Sequence, residues 1–191
     1  MSQSFSKCNA PARTGTPDDQ WREQLRDGTS VLIRPIRPTD EGLERDFIER
    51  LSPQSRRYRF LGTIKTPSGE LLRQFTRPEL VRGIAYIATI GEGIHMREIG
   101  VSRYSASPDG VSCECAVCIS DEWQGKGLAT ILMHRLIETA RNRGIERMYS
   151  IDANDNQDMR DLAEHLGFRR SVDPDDPTLV VHTLDIKSAA K

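Results

Sequence analysis

A chain of 191 residues, 37% hydrophobic and 29% charged, is long enough for one domain with a proper core and has an ordinary soluble composition. Its net charge of -1 and pI near 6.4 lack the basic excess of a nucleic-acid binder of this size, and its longest apolar run, "GIAYIATI", is far too short to cross a bilayer, so neither nucleic acid nor a membrane is an expected partner. No early window has the charged start and apolar run of a signal peptide, which leaves the cytoplasm as the expected location.

Residues 1–27 are rich in Ser, Thr, Pro, Asp and Gln without apolar periodicity and read as a disordered tail, with a short helix around Trp21 to Leu25. One folded domain is expected over residues 28–187. Order begins at "TSVLIRPIRP", a short strand ended by prolines. "TDEGLERDFIERL" then places Leu43, Phe47, Ile48 and Leu51 at helical spacing. Ser52 before Pro53 is a helix start signal for the short basic helix "SPQSRRYRFL". Residues 63–79 read as a loop with a helix.

Three strands are expected at 82–90, 97–105 and 111–120, and the short turns "GEGI" and "SPDG" make them antiparallel neighbours. A helix from Gly125 to Asn142 follows, burying Leu128, Ile131, Leu132, Leu136, Ile137 and Ala140, and Gly144 ends it. "ERMYSI" must then run parallel to the strand before that helix. Met159, Leu162, Ala163 and Leu166 mark a further helix stopped by Gly167, with one or two strands around 168–172 and 178–186 closing the chain. The expected class is α+β: a mixed, mostly antiparallel sheet with a single β-α-β crossover.

"CECAVC" invites a metal reading. On a regular strand, however, Cys113 and Cys115 face one way and Cys118 the other, and Cys8 lies in the tail. Buried thiols in a reducing compartment account for them better, and no metal is expected.

The chemistry concentrates in "DEWQGKGLATIL", where two glycines stand one residue apart between a strand and a helix. It lacks the Gly-Lys-[Ser/Thr] ending of a Walker A loop. A dinucleotide fingerprint matches Gly125 and Gly127 but is broken at Thr130, although Asp152 could imitate its ribose-binding acid. The third reading is Gln124-x-x-Gly127-x-Ala129. The unpaired amides that open a helix hold a pyrophosphate, the glycines let it approach, and Lys126 adds charge.

With that pattern the chain resembles the GNAT-type N-acetyltransferases over about residues 29 to 186. Their acyl-CoA pyrophosphate loop reads [Gln/Arg]-x-x-Gly-x-[Gly/Ala] at this place in this order of elements. "NQDM…LAEHLGF" is similar to the superfamily's second conserved block and "IRPIRPTD" to its first strand. "LSPQSRRYRF" together with "CECAVCISDEWQGKG" resembles the narrower Pat-type protein lysine acetyltransferases. The resemblance implies a single GNAT-like domain over residues 28–187, whose β-α-β crossover carries the pyrophosphate loop, and acetyl-CoA as acyl donor. It implies Glu114 as general base. Backbone groups of Val117, Cys118 and Ile119 would hold the pantetheine arm. Gln124, Gly125, Lys126, Gly127, Leu128, Ala129 and Thr130 would wrap the pyrophosphate, and Asn156 would touch the cofactor.

Glu114 is the charged residue of an otherwise apolar strand and shares a face with Ala116 and Cys118; partial burial there would raise its pKa toward a useful value, whereas an edge-strand Glu would simply face water. Asn156 could equally be a helix cap. Many members of the superfamily carry a Tyr, as acid for the leaving thiolate, where this chain has Ala163; His165 lies near that place. His95, His134 and His182 have no ligand spacing, and Arg56, Arg57 and Arg59 read as a solvated face or as part of an acceptor or CoA-phosphate surface. The resemblance points to an acceptor protein, acyl-CoA synthetases among them. A small-amine acceptor and a non-catalytic acyl-CoA-binding regulator remain open.

Overall fold

The computed structural model describes residues 19–62 and 66–186. In chain order the elements are β1 (Trp21–Gln24), β2 (Ser30–Pro35), α1 (Glu41–Arg50), α2 (Pro53–Phe60), α3 (Gly69–Thr76), β3 (Ile84–Ile90), β4 (Arg97–Ala106), β5 (Ser112–Ile119), α4 (Leu128–Asn142), β6 (Arg147–Ala153), α5 (Gln157–His165), β7 (Arg169–Val172) and β8 (Leu179–Asp185). The strands form one sheet in the order β1-β2-β3-β4-β5-β6-β8-β7. Every neighbouring pair is antiparallel except β5 and β6, which are parallel, as the crossover through α4 requires.

The central strands are buried on both faces. Along β3, Ile84, Tyr86 and Ala88 enter a core beneath α4 and α5, while Ala85 and Ile87 enter a second core beneath α1 and α3. Strand alternation thus divides one apolar run between two layers. The α4 layer is anchored by Leu128, Leu132 and Leu136, each at most 1% exposed. Burying each contributes roughly 1.5–3 kcal/mol. Gly100 of β4 sits where that helix presses closest: a Cβ there would lie 2.7 Å from Ile119 Cδ1 and 3.2 Å from Leu128 Cδ2. The missing side chain lets the first turn of α4 settle on the sheet.

The segment expected to hold a short helix around Trp21 to Leu25 is instead strand β1, paired with β2 from Trp21↔Ile33 to Gln24↔Ser30. Long-range contacts outweigh local preference here. The Trp21 ring meets Tyr86 edge-on at 5.4 Å, and Glu23 accepts from Arg135 of α4 at 2.7 Å. Of the tail expected at residues 1–27, residues 1–18, including Cys8, lie outside the described residues, whereas residues 19–27 are described and carry β1. Helix α4 begins at Leu128 rather than Gly125, because Gly125 and Gly127 both take positive φ, +72° and +87°, which no helical residue adopts. Cys113 and Cys115 lie in the α4-side core and Cys118 in the other, on opposite faces of β5.

One feature of the sheet prepares the site. β5 pairs with β6 over only three rungs, the last being Glu114↔Tyr149, whereas β6 pairs with β8 over its full length to Ala153↔Leu179. Beyond Glu114 the two parallel strands part and leave a wedge.

Candidate active site

A cavity of ≈ 600 Å³ fills that wedge. The glycine turn closes one end. Positive φ at Gly125 and Gly127 would strain any side chain by about 1–3 kcal/mol. A Cβ on Gly125 would meet nothing within 4 Å, so the turn leaves open space above its backbone. Gly127 is the N-cap of α4 and supplies no side-chain cap. The first helical bond runs from Ile131 N–H to the Gly127 carbonyl at 3.2 Å, which leaves the amides of Leu128, Ala129 and Thr130 without intrahelical acceptors. The starts of α2, α3 and α5 are different: Ser52, Ser68 and Asn156 each accept a backbone N–H there. An uncapped 15-residue helix whose dipole points into an open cavity is suited to a bound anion, and the amides fit a pyrophosphate.

The charge at this turn comes from an unexpected direction. Lys126 pairs with Asp27 at 3.0 Å, stands 4.4 Å over the Trp123 ring and does not line the cavity. Arg26, from the β1–β2 turn, does line it. Its backbone N–H donates to the Lys126 carbonyl at 3.2 Å, and its Nε lies 3.3 Å from where a Cβ on Gly127 would be. Arg26 is exposed and has no ion pair among the described residues.

Val117, Cys118 and Ile119 line the β5 wall, and Asn156, Met159 and Leu162 of α5 line the other side. Asn156 accepts from Met159 N–H at 3.2 Å, so it caps α5 and borders the cavity at once. Asp152 of β6 also faces in, with Ser150 Oγ donating to it at 2.6 Å and the buried His182 Nδ1 at 3.0 Å behind it. Gln124 bridges two walls, its amide donating to the Ile119 carbonyl at 3.1 Å and to Ser55 Oγ at 3.4 Å.

Glu114 stands at the last rung before the strands part, on the same face of β5 as Cys118. It is exposed, not partly buried as expected, and lies outside the cavity lining. The reason lies on its face of the sheet: a strand side chain stands perpendicular to its neighbours, and along β5 the α1–α3 core holds Cys118 but does not extend to Glu114. Ala163, in place of the tyrosine of many relatives, is buried in the core, while His165 lines the cavity with its side chain exposed.

Helix α2 roofs the wedge. Ser52 N–H and Oγ and Ser55 Oγ donate to the Asp121 carboxylate at 2.9, 2.7 and 2.8 Å. Burial pushes that carboxyl up, but these hydrogen bonds outweigh it and hold it below the usual carboxylate range. Across the opening, Arg57 pairs with Asp155, and Tyr58 Oη donates to the Asp155 carbonyl at 3.3 Å. The Ser-Pro-x-Ser stretch therefore pins α2 to the loop that leads into the glycine turn.

Beneath the roof lies a buried polar cluster. Arg103 donates to Glu44 at 2.8 Å and stacks 4.0 Å from the Phe75 ring. Arg59 lies 5.1 Å from the same ring, half-buried and lining the cavity; burial, then the neighbouring Arg103, brings its guanidinium down to about 10. Glu98 is fully buried with both oxygens unpartnered among the described residues, and burial, then Glu44, pushes its carboxyl well up. Cys118, also buried, is pushed up to about 12 by burial and is thus a neutral thiol.

Reading the sequence did not place Arg26, Tyr58 and Arg59 in one site, and it weighed Asp152 only as a ribose-binding acid. These residues come from three segments of chain, and no local spacing relates them.

The chain matches the model of the Acetyltransferase (GNAT) family over residues 81–168. It is 45% identical to Acetyltransferase PA5475 of Pseudomonas aeruginosa, over 96% of this chain and 99% of that protein. It is 27% identical to Acetyltransferase Pat of Mycolicibacterium smegmatis over 75% of this chain but only 43% of that longer relative. Among solved structures, the GNAT domain of S. lividans PAT superposes with a TM-score of 0.79 at 26% identity, covering 87% of this chain and 96% of that one. A putative acetyltransferase from Salmonella typhimurium, solved with acetyl-CoA, shares the fold with a TM-score of 0.62 at 19% identity, over 84% of this chain and 96% of that one. With its uncapped helix, glycine turn and strand wedge, and with a relative 45% identical along nearly its whole length, this chain belongs to the GNAT family of acetyl-CoA-dependent acetyltransferases.

Proposed function

We propose that this acetyltransferase moves the acetyl group directly from acetyl-CoA to the side-chain amine of a protein lysine, with Glu114 as general base. It would work in the cytoplasm, in keeping with three buried free thiols. The observation that carries the reading is the wedge: a helix start without a cap faces one end of the cavity, and Glu114 stands where the strands part. The Pat-type acceptor class is supported by the α2 motif, which here builds the roof over the wedge.

When bound, acetyl-CoA supplies an activated acyl group as a thioester. The amides of Leu128, Ala129 and Thr130, aided by Arg26, would hold its pyrophosphate. The unpaired edge of β5 at Val117, Cys118 and Ile119 would align the pantetheine arm and polarise the thioester carbonyl. A lysine ammonium titrates near 10.4, so its proton must leave before the nitrogen can attack. Glu114, directly or through a water, would take that proton before attack; the neutral nitrogen then forms the C–N bond, and its second proton passes to solvent or to the departing thiolate as the C–S bond breaks. Its exposure suits this role, because an arriving acceptor would cover the carboxylate and strip its water only at the moment of transfer. The CoA thiolate is a tolerable leaving group, so no dedicated acid is needed in place of Ala163.

Replacing Glu114→Gln tests the base. Turnover of a lysine substrate should fall by roughly 10²–10⁴-fold while acetyl-CoA affinity holds. Unchanged turnover would remove Glu114 from the mechanism. Binding of acetyl-CoA without acetylation of any amine would favour a regulator instead.

A further inference from the structure

The roof of the site holds a cation that no hydrogen bond or ion pair engages among the described residues. Arg59 and Arg103 both lie against Phe75, within 5.1 and 4.0 Å of the ring centre. One carboxylate, Glu44, is committed to Arg103 at 2.8 Å. Glu98 is fully buried beside this pair, with neither oxygen hydrogen-bonded to Arg59 or to any other group among the described residues. The nearby pair Arg34–Asp40 is closed on itself, with two hydrogen bonds of 2.7 and 2.8 Å. Arg59 is left as a half-buried cation on the cavity wall, with no hydrogen bond or ion pair among the described residues.

A desolvated guanidinium is costly without an anion, and it offers a planar pair of donors matched to a carboxylate. The glycine turn opens α4 against the other core of the sheet, whereas Arg59 borders the α1–α3 side that holds Cys118, which favours a group arriving with the amine over a phosphate of CoA; the CoA affinity of an Arg59 variant tells the two apart.

We infer that Arg59 is an anion subsite for the acceptor, pairing with the carboxylate of an acidic residue that flanks the target lysine. The inference rests on the lysine acetyltransferase reading above. Together, Glu114 and Arg59 would read the acceptor as a neighbouring amine and acid, and this selects lysines in acidic local sequence.

The test uses CoA–peptide conjugates, in which the lysine Nε is joined to the CoA sulfur through an acetyl bridge and either Glu or Gln flanks the lysine on each side in turn. Calorimetry on the wild type should show one Glu conjugate binding about tenfold more tightly than its Gln counterpart, as expected for one charge-assisted pair. In Arg59→Met that ratio should collapse to near one with the affinity for CoA itself unchanged, and Arg59→Lys should keep part of it. A Glu preference that is absent in the wild type, or that survives in Arg59→Met, overturns the inference, as does CoA affinity that falls in step with it. Turnover measured alongside on free amino acids separates the two readings. If only small carboxylate-bearing amines are acetylated and their preference over the corresponding amides is lost in Arg59→Met, the subsite stands and the lysine acceptor falls.

Discussion

On the α4–α5 side of the sheet, β3, β4 and β5 are covered by aliphatic side chains, and the helix that lands there begins without a cap. On the α1–α3 side the same strands bury Arg34, Asp40, Glu44 and Glu98 and half-bury Arg103. Under the proposed function the contrast separates two tasks. The donor would be held mainly by backbone amides and glycines fixed by an apolar core, since a pyrophosphate presents the same charge in every turnover. The acceptor would meet fixed side-chain charges, which are expensive to bury and worth keeping only where they are satisfied or where a ligand completes them.

Three measurements would sharpen or break this contrast. The largest effect is expected on the charged face. Glu44→Ala strands the Arg103 guanidinium and should lower unfolding free energy by about 3–5 kcal/mol in denaturant titrations. A loss under about 1 kcal/mol would mean that water reaches the cluster and that this face is not a buried polar layer.

A smaller effect, with a distinctive pH dependence, is expected at Glu98. Its carboxyl is raised in the folded state by burial and then by Glu44. Its contribution to stability is therefore fully present below the unfolded value of about 4.3 and is lost as pH rises toward the folded value. Glu98→Gln has no proton to lose, and its amide can donate to Glu44. Its stability relative to the wild type should climb with pH above about 4.3, by up to about 1.4 kcal/mol per pH unit. A difference that stays flat from mildly acidic to neutral pH would show Glu98 to be ionised.

The smallest effect belongs to the donor side. Arg26→Ala removes an exposed cation beside the glycine turn and should weaken acetyl-CoA binding by about two- to fivefold, more at low salt than at high. Acetyl-pantetheine, which lacks the pyrophosphate, should bind both proteins alike. An equal loss for both donors would place Arg26 elsewhere in the site.

Much of this architecture was legible before any coordinates. Periodicity in "GIAYIATI" and "LATILMHRLIETA" marks buried elements because burial repeats every two or every 3.6 residues. The parallel pairing of β5 and β6 follows from having a helix between them. The glycine turn was legible for a chemical reason: only glycine tolerates φ of +72° and +87°. Trp21 to Gln24 was misread, since four residues hold no period and their strand exists only because β2 and Tyr86 are there to receive it. Glu114 was placed on the correct face but given the wrong exposure, because alternation assigns a face and cannot see how far along β5 the α1–α3 core extends.

Local pattern was thus enough for the class of fold, the position of the glycine turn and the face of each strand residue, since these depend on neighbours within a few residues of chain. What assembled only on folding was the wedge between β5 and β6, the α2 roof pinned to Asp121 and Asp155, and the meeting of Arg59, Arg103, Glu44 and Glu98. Those features join groups separated by tens of residues, and charge balance in a buried cluster depends on distance in space, which no spacing along the chain records.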